Sequence, residues 1–273
     1  VLSKSVELDE PYSLTFNELA TCYFFGEGTK QNFTKAEEIF TRLLEIGGTG
    51  TDEMTATWHL EALQYDDPVK SLDFIFLKSL AEEGDAESQT ELGSLYFYGE
   101  IVYNESNIHV PINQKEAAKW FRLASEQGFA EAQANLGMMY ENGDGVQQDY
   151  KKAIKWYQLS AKQGDNAARN NLGVMYQNGT GVKQSKEKAA ELYKLAADQG
   201  HAKAQFNLGA MYINGQGVGQ SNQMAREWWV KAAEQGDETA IQYLNQLDKD
   251  EGKTKTTTST TTTTSSTTTK KTI

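Results

Sequence analysis

Apolar residues recur along the middle of the chain with the period of an α-helix. Over 130–142, Ala132, Leu136 and Tyr140 stand four residues apart, which places them on one helical face. Gly143 follows as a left-handed stop and a short polar loop comes next. A second helix is predicted over roughly 150–163, with Ala153, Trp156, Tyr157 and Ala161 as its apolar stripe and Gly164 at its end. Neither helix buries its stripe alone, so the unit needs neighbours.

Those neighbours are copies of itself. Residues 130–165, 166–201 and 202–237 align without a gap, and Leu136, Leu172 and Leu208 are each 36 residues apart, as are Tyr140, Tyr176 and Tyr212. Residues 86–129 share the frame through Leu92, Gly93, Tyr96 and Gly99, then Ala117, Trp120, Phe121, Ala124 and Gly128, with eight extra residues between Gly99 and Lys115. Upstream, Leu19, Tyr23, Gly26 and Gly28 followed by Lys35, Ala36 and Gly47 make another block, and 49–85 read as a degenerate unit ending in AEEGD. Residues 238–248 resemble a first helix alone, which suits a terminal cap. A glycine inside a helix costs ~1 kcal/mol relative to alanine. Its recurrence at Gly93, Gly137, Gly173 and Gly209 predicts that helices approach closely there.

The expected fold is therefore all-α, a solenoid of about six helix-turn-helix units. The predicted boundaries are an N-terminal segment at 1–15, two divergent repeats over 16–85, a repeat with a loop insertion at 86–129, repeats at 130–165, 166–201 and 202–237, a capping helix at 238–252 and a tail at 253–273.

An alanine-rich start, then LGxxY, GxGV, KAxxWY and xxAAxxGD at a spacing of 36, resembles the Sel-1-like repeat, a cousin of the tetratricopeptide repeat. The resemblance covers roughly 16–248 and is most specific over 86–237. It implies a right-handed α/α superhelix used to assemble protein complexes. In the related tetratricopeptide repeat, the asparagine matching Asn135, Asn171 and Asn207 lies on the concave face and bonds a bound peptide's backbone, and Glu91 takes its place in a fourth unit. An amide suits this because it both donates and accepts. Ser94, Met138, Val174 and Ala210 are expected beside it, with Phe97, Glu141, Gln177 and Ile213 one turn on. On the other reading, these asparagines only bridge neighbouring helices. The insertion, 100–114, is either a specificity element on one rim, with Tyr103, Ile108 and Val110 facing a partner, or a tolerated surface loop.

Charge and composition narrow the function. The net charge is -12 and the segment 253–273 holds four lysines and no acid, so residues 1–252 carry -16. That disfavours nucleic acid, whose binding is driven by Lys and Arg, and suits a protein or peptide partner with basic patches. Mean hydropathy is -0.62, and no run of ~18 apolar residues is present to span a bilayer. Cys22 is the lone cysteine, so an intramolecular disulfide and a cysteine metal cluster are both excluded.

Candidate chemistry is sparse. The loops GDGV, GTGV and GQGVG follow helices and lack GK[ST], so they read as helix stops and not as phosphate cradles. His59, His109 and His201 lie in different units without metal-ligand spacing, and His201 reads as a turn residue. The aromatic columns Trp120, Trp156, Trp228 and Phe121, Tyr157, Tyr193, Trp229 are expected in the core. No cofactor, metal or catalytic residue is predicted.

The function expected is a non-enzymatic scaffold or adaptor. The resemblance also includes adaptors of ubiquitin ligases in endoplasmic-reticulum degradation, and cysteine-rich bacterial relatives linked to β-lactam hydrolysis. The first would need a signal peptide and usually a membrane anchor, which this sequence does not display. The second carry a cysteine pair in each repeat, where Cys22 stands alone. A cytoplasmic location is favoured slightly over the secretory pathway. In the latter, the sequons at Asn32, Asn104 and Asn178 would matter. The Thr/Ser tract of the tail has no apolar residues for a core and is expected to be disordered.

Overall fold

The computed structural model describes residues 16–45, 51–64, 68–103 and 106–252. Gly47, Asn104, the N-terminal segment 1–15 and the tail 253–273 lie outside the described residues. The described residues form thirteen helices and one two-stranded ribbon, the expected all-α class of paired-helix repeats. The chain divides into two compact units, 1–156 and 157–273, with the boundary inside the helix α8 (Tyr150–Lys162).

The first unit begins with α1 (Phe16–Phe25), α2 (Phe33–Glu45), α3 (Thr51–Ala62) and α4 (Pro68–Glu83), each packed on the next. Then come α5 (Ala86–Tyr98), α6 (Gln114–Glu126) and α7 (Ala130–Asn142). One core runs from α1 to α6, with Phe24, Phe40, Ile75, Leu77, Leu92 and Trp120 buried in it. Within the divergent stretch 49–85, residues 51–62 and 68–83 thus still fold as helices, because Ala56, Leu77 and Ala81 supply buried apolar surface without the glycine inside the first helix.

The insertion is not a plain loop. It forms an antiparallel ribbon of β1 (Glu100–Tyr103) and β2 (Ser106–His109), with Glu100 opposite His109 and Tyr103 opposite Ser106. The Val110 amide donates to the Gly99 carbonyl at 2.8 Å and closes its base. Val110 packs against the core of this unit.

The second unit holds the end of α8, then α9 (Asn166–Asn178), α10 (Lys186–Ala197), α11 (Ala202–Asn214), α12 (Asn222–Glu234) and α13 (Glu238–Asp250). Helices α9 to α13 stack in chain order. Start signals are side-chain caps: Asp165 and Asp237 accept from the third amide of α9 and α13, and Ser185 and Ser221 do so for α10 and α12. His201 caps α11 in the position that aspartate takes elsewhere, so it is a helix start and not merely a turn residue.

The helical glycines sit where bulk would collide. A Cβ on Gly93 would lie 2.8 Å from the Phe121 ring, and one on Gly173 would lie 2.7 Å from the Tyr193 ring. Gly209 bears the same relation to Trp229. The aromatic column of the second helix therefore lies across the first helix of its own repeat. This is the close approach that the glycines predicted.

Candidate functional site

All twelve candidate binding residues are half-buried: Glu91, Ser94 and Phe97 on α5, Asn135, Met138 and Glu141 on α7, Asn171, Val174 and Gln177 on α9, and Asn207, Ala210 and Ile213 on α11. The leucine and glycine beside each asparagine are buried, namely Leu136 with Gly137, Leu172 with Gly173 and Leu208 with Gly209. This is what one helical face turned partly toward solvent looks like when its neighbour carries the core.

In the second unit most of these side chains are already engaged. The Asn207 amide donates to the Asn170 side-chain oxygen at 2.9 Å, the Asn170 amide to Asn171 at 3.3 Å, and the Asn171 amide to the Tyr157 hydroxyl at 3.4 Å. Here the bridging role is realised. The Tyr193 hydroxyl donates to the Gln177 side-chain oxygen at 2.7 Å, and burial pushes the Tyr193 phenol well above its ordinary range. Val174, Ala210 and Ile213 pack against core clusters. Asn170 was not a candidate, since its column holds Thr90, Ala134 and Phe206 and carries no repeat signal.

In the first unit the corresponding face is less satisfied. Asn135 has no side-chain hydrogen bond among the described residues. Glu91 replaces the asparagine, and its carboxyl is held above the usual range, first by burial and then by the neighbouring Glu87, Glu131 and Asp85. Phe97 meets the Tyr98 ring edge-on at 4.9 Å, and Tyr98 is 59% exposed. Residues 1–156 carry 27 acidic against 12 basic side chains, whereas 157–273 carry 11 against 14. The acidic surplus therefore belongs to the first unit.

Three polar columns escaped sequence reasoning although the period displays them. Buried Gln89, Gln133 and Gln205 donate to the Ala81, Ser125 and Ala197 carbonyls of the preceding helix, and Gln127 and Gln235 reach Gln89 and Gln205 from the helix that follows. Loop glutamines 31, 148, 184 and 220 donate to the carbonyls of Phe24, Glu141, Gln177 and Ile213. Ile112 holds that place in the repeat with the ribbon, and it is 64% exposed. Finally, Lys35, Lys152 and Lys188 each lie about 5 Å over the ring of the tyrosine twelve residues earlier, Tyr23, Tyr140 and Tyr176. These columns couple helices. Their partners are invisible until the turn is folded.

Two open clefts flank the loops. One of about 650 Å³ is lined by Ile112, Gln114, Lys115, Gly145 and Val146, and one of about 550 Å³ by Tyr176, Val182, Gln184, Glu187 and Lys188. Neither has a histidine or cysteine in its lining. Among the described residues no group of three or more His, Cys, Asp and Glu is placed to hold a metal ion, and no helix is long and apolar enough to cross a membrane.

A family model described as Sel1 repeat matches residues 17–46, 86–129, 130–165, 166–201 and 202–237. The chain is similar to a protective antigen with an SLR fold from uropathogenic Escherichia coli, at 32% identity and a TM-score of 0.59, covering 88% of this chain and 50% of that one. It is also similar to a Sel1 repeat protein from Oxalobacter formigenes, at 27% identity and a TM-score of 0.58, covering 88% of this chain and 79% of that one. Helicobacter pylori cysteine rich protein B matches at 24% identity with a TM-score of 0.39, over 48% of this chain and 98% of that one. The chain thus spans half the length of the E. coli protein. No curated protein matches it.

Proposed function

The chain belongs to the Sel1 repeat family, whose members are generally protein-interaction scaffolds, and on that premise we propose that it is an adaptor whose first unit binds a segment of a partner protein. The contact face is the half-buried stripe of Glu91, Ser94 and Phe97 on α5 and Asn135, Met138 and Glu141 on α7. The observation that carries this reading is the contrast between the two units. Asn171 and Asn207 spend their amides on the ladder, whereas Asn135, unbonded among the described residues, has both donors and its acceptor for an incoming main chain.

Charge supplies the partner's character. A unit with 27 acids against 12 bases in its sequence, and with Glu91 crowded by Glu87 and Glu131, favours a segment bearing lysine or arginine beside an apolar residue. Phe97 and Met138 offer the apolar contact. Binding of this kind weakens as salt rises, because exposed charges are screened over ~8 Å at physiological ionic strength.

The test is affinity capture with the full chain as bait, from cells that express it naturally, beside Asn135→Ala and Met138→Arg variants. A partner retained by the wild type, lost by both variants and released at ~0.5 M salt agrees with the proposal. A partner held equally by variants with unchanged thermal melting sinks it.

A further inference from the structure

Among the described residues, His59 of α3 is the one histidine enclosed by aromatic rings. It is 7% exposed, its ring stacks on Phe40 of α2 at 4.6 Å, and it meets the edges of Phe24 at 4.6 Å and Phe25 at 5.8 Å, both on α1. Nδ1 bonds the Thr55 carbonyl at 2.7 Å, one turn earlier in the same helix. Carbonyls only accept, so this bond assigns the proton of the neutral ring to Nδ1. Nε2 is buried and has no hydrogen-bond partner among the described residues.

Among the described residues, no charged group of the packed helices offsets a proton on that ring. Lys35 of α2 lies over the Tyr23 ring of α1, Arg42 pairs with Glu45 at the exposed end of α2, and Glu61 of α3 pairs with Lys78 of α4 at 2.9 Å. Only burial, which disfavours the cation, and the Thr55 bond, which opposes it, act on His59, and burial is the larger. A second proton would create a buried N–H donor with no acceptor among the described residues, at a point where three helices meet. The rings' faces attract a cation, but by ~0.5–2 kcal/mol, less than the cost of burying an ion.

We propose that His59 is an acid-sensitive latch whose protonation loosens α1, α2 and α3 from one another. A repeat array suits this, since each unit contacts only its neighbours and local opening costs less than global unfolding. The sign follows from linkage. The folded state disfavours the charged form, so the latch is closed above the ordinary histidine value of about 6.5 and is released as pH falls below it. Each pH unit below that value multiplies the opening equilibrium by up to tenfold, giving a limit of roughly 30-fold at pH 5.0.

Hydrogen exchange of the full chain, read by mass spectrometry at pH 7.5 and pH 5.0 and corrected for intrinsic exchange, tests this against His59→Leu, which is similar in volume. In the wild type, peptides from 16–45 and 51–62 should exchange up to about 30-fold faster at pH 5.0, and in His59→Leu they should not respond. Equal acceleration in both proteins, or none in the wild type, overturns the latch. If His59→Leu does not fold, the His59 ring resonance is followed by NMR in the wild type. Titration near 6.5 with α1–α3 signals undisturbed overturns the proposal, and titration together with loss of those signals upholds it.

Discussion

The side-chain amide of Asn207 donates to the side-chain oxygen of Asn170 at 2.9 Å, joining α11 to α9 across one repeat. Asn170 is 5% exposed, so its oxygen finds no ready substitute in water. Asn207→Ala should therefore cost about 1–3 kcal/mol, the penalty for a buried acceptor left unmade. Adding Asn170→Ala should cost less than its own single effect, with a coupling of about 0.5–1.5 kcal/mol. A double-mutant cycle by urea denaturation measures this, and zero coupling would mean that the ladder carries no energy.

Gly173→Ala sets two effects against each other. Alanine gains up to ~1 kcal/mol of helix propensity, but its Cβ would lie 2.7 Å from the Tyr193 ring. That ring is fully buried and its hydroxyl is anchored on Gln177. It cannot slide away without losing packing, so the net result should be a loss of about 1–3 kcal/mol. Gly219→Ala is the control, since nothing lies within 4 Å of the added carbon, and it should be neutral or slightly stabilising. Thermal melts of the two variants should move apart, and a stabilised Gly173→Ala would refute the packing argument.

His201 caps α11 by accepting from the Ala204 amide through Nδ1 at 3.2 Å, which requires a neutral ring. Burial and Lys203 hold its titration below the ordinary value, against a weaker opposing pull from Asp165. The folded state thus prefers the neutral form, and the cap's contribution is present above about 6.5 and lost as pH falls below it. His201→Asp supplies an acceptor that persists to lower pH. It should melt higher than the wild type at pH 5.5, by about 2–4 °C for a cap of about 1 kcal/mol, and the gap should narrow at pH 8. A gap independent of pH would count against the cap as its cause.

Arg226 of α12 binds both Asp248 and Glu251 near the end of α13, and Asp248 is 1% exposed. Removing the guanidinium takes the opposite charge away from a buried carboxylate. Arg226→Met should cost about 3–5 kcal/mol, and amide exchange should show the opening in α13 first. Arg226→Met combined with Asp248→Leu should recover most of the loss. If the single variant keeps α13 as protected as in the wild type, that helix is held by its apolar face alone.

The repeat frame was readable because helix formation is local. Leu136, Leu172 and Leu208 recur with alanine and tyrosine four residues to either side, and that spacing defines a face whatever packs on it. Gly173 was also readable, as a helical glycine that must be making room for something. The divergent stretch is the converse case. His59 stands in a helix whose sequence shows no clear amphipathic pattern, and its cage is built from Phe24, Phe25 and Phe40 of other helices.

The candidate face divides along the same line. The sequence by itself determined that Asn135, Asn171 and Asn207 share one position on successive first helices, because position within a helix depends only on neighbours a turn away. Only the tertiary structure decided their employment. Asn207 meets Asn170 from 37 residues away, Asn171 meets Tyr157 of another helix, and Asn135 meets no side chain that bonds it among the described residues. Val110 likewise packs, half-buried, against the core beside a ribbon that closes on Gly99. A hydrogen bond is directional and acts over about 3 Å, so its partner is chosen by the approach of a second helix, which no local period encodes.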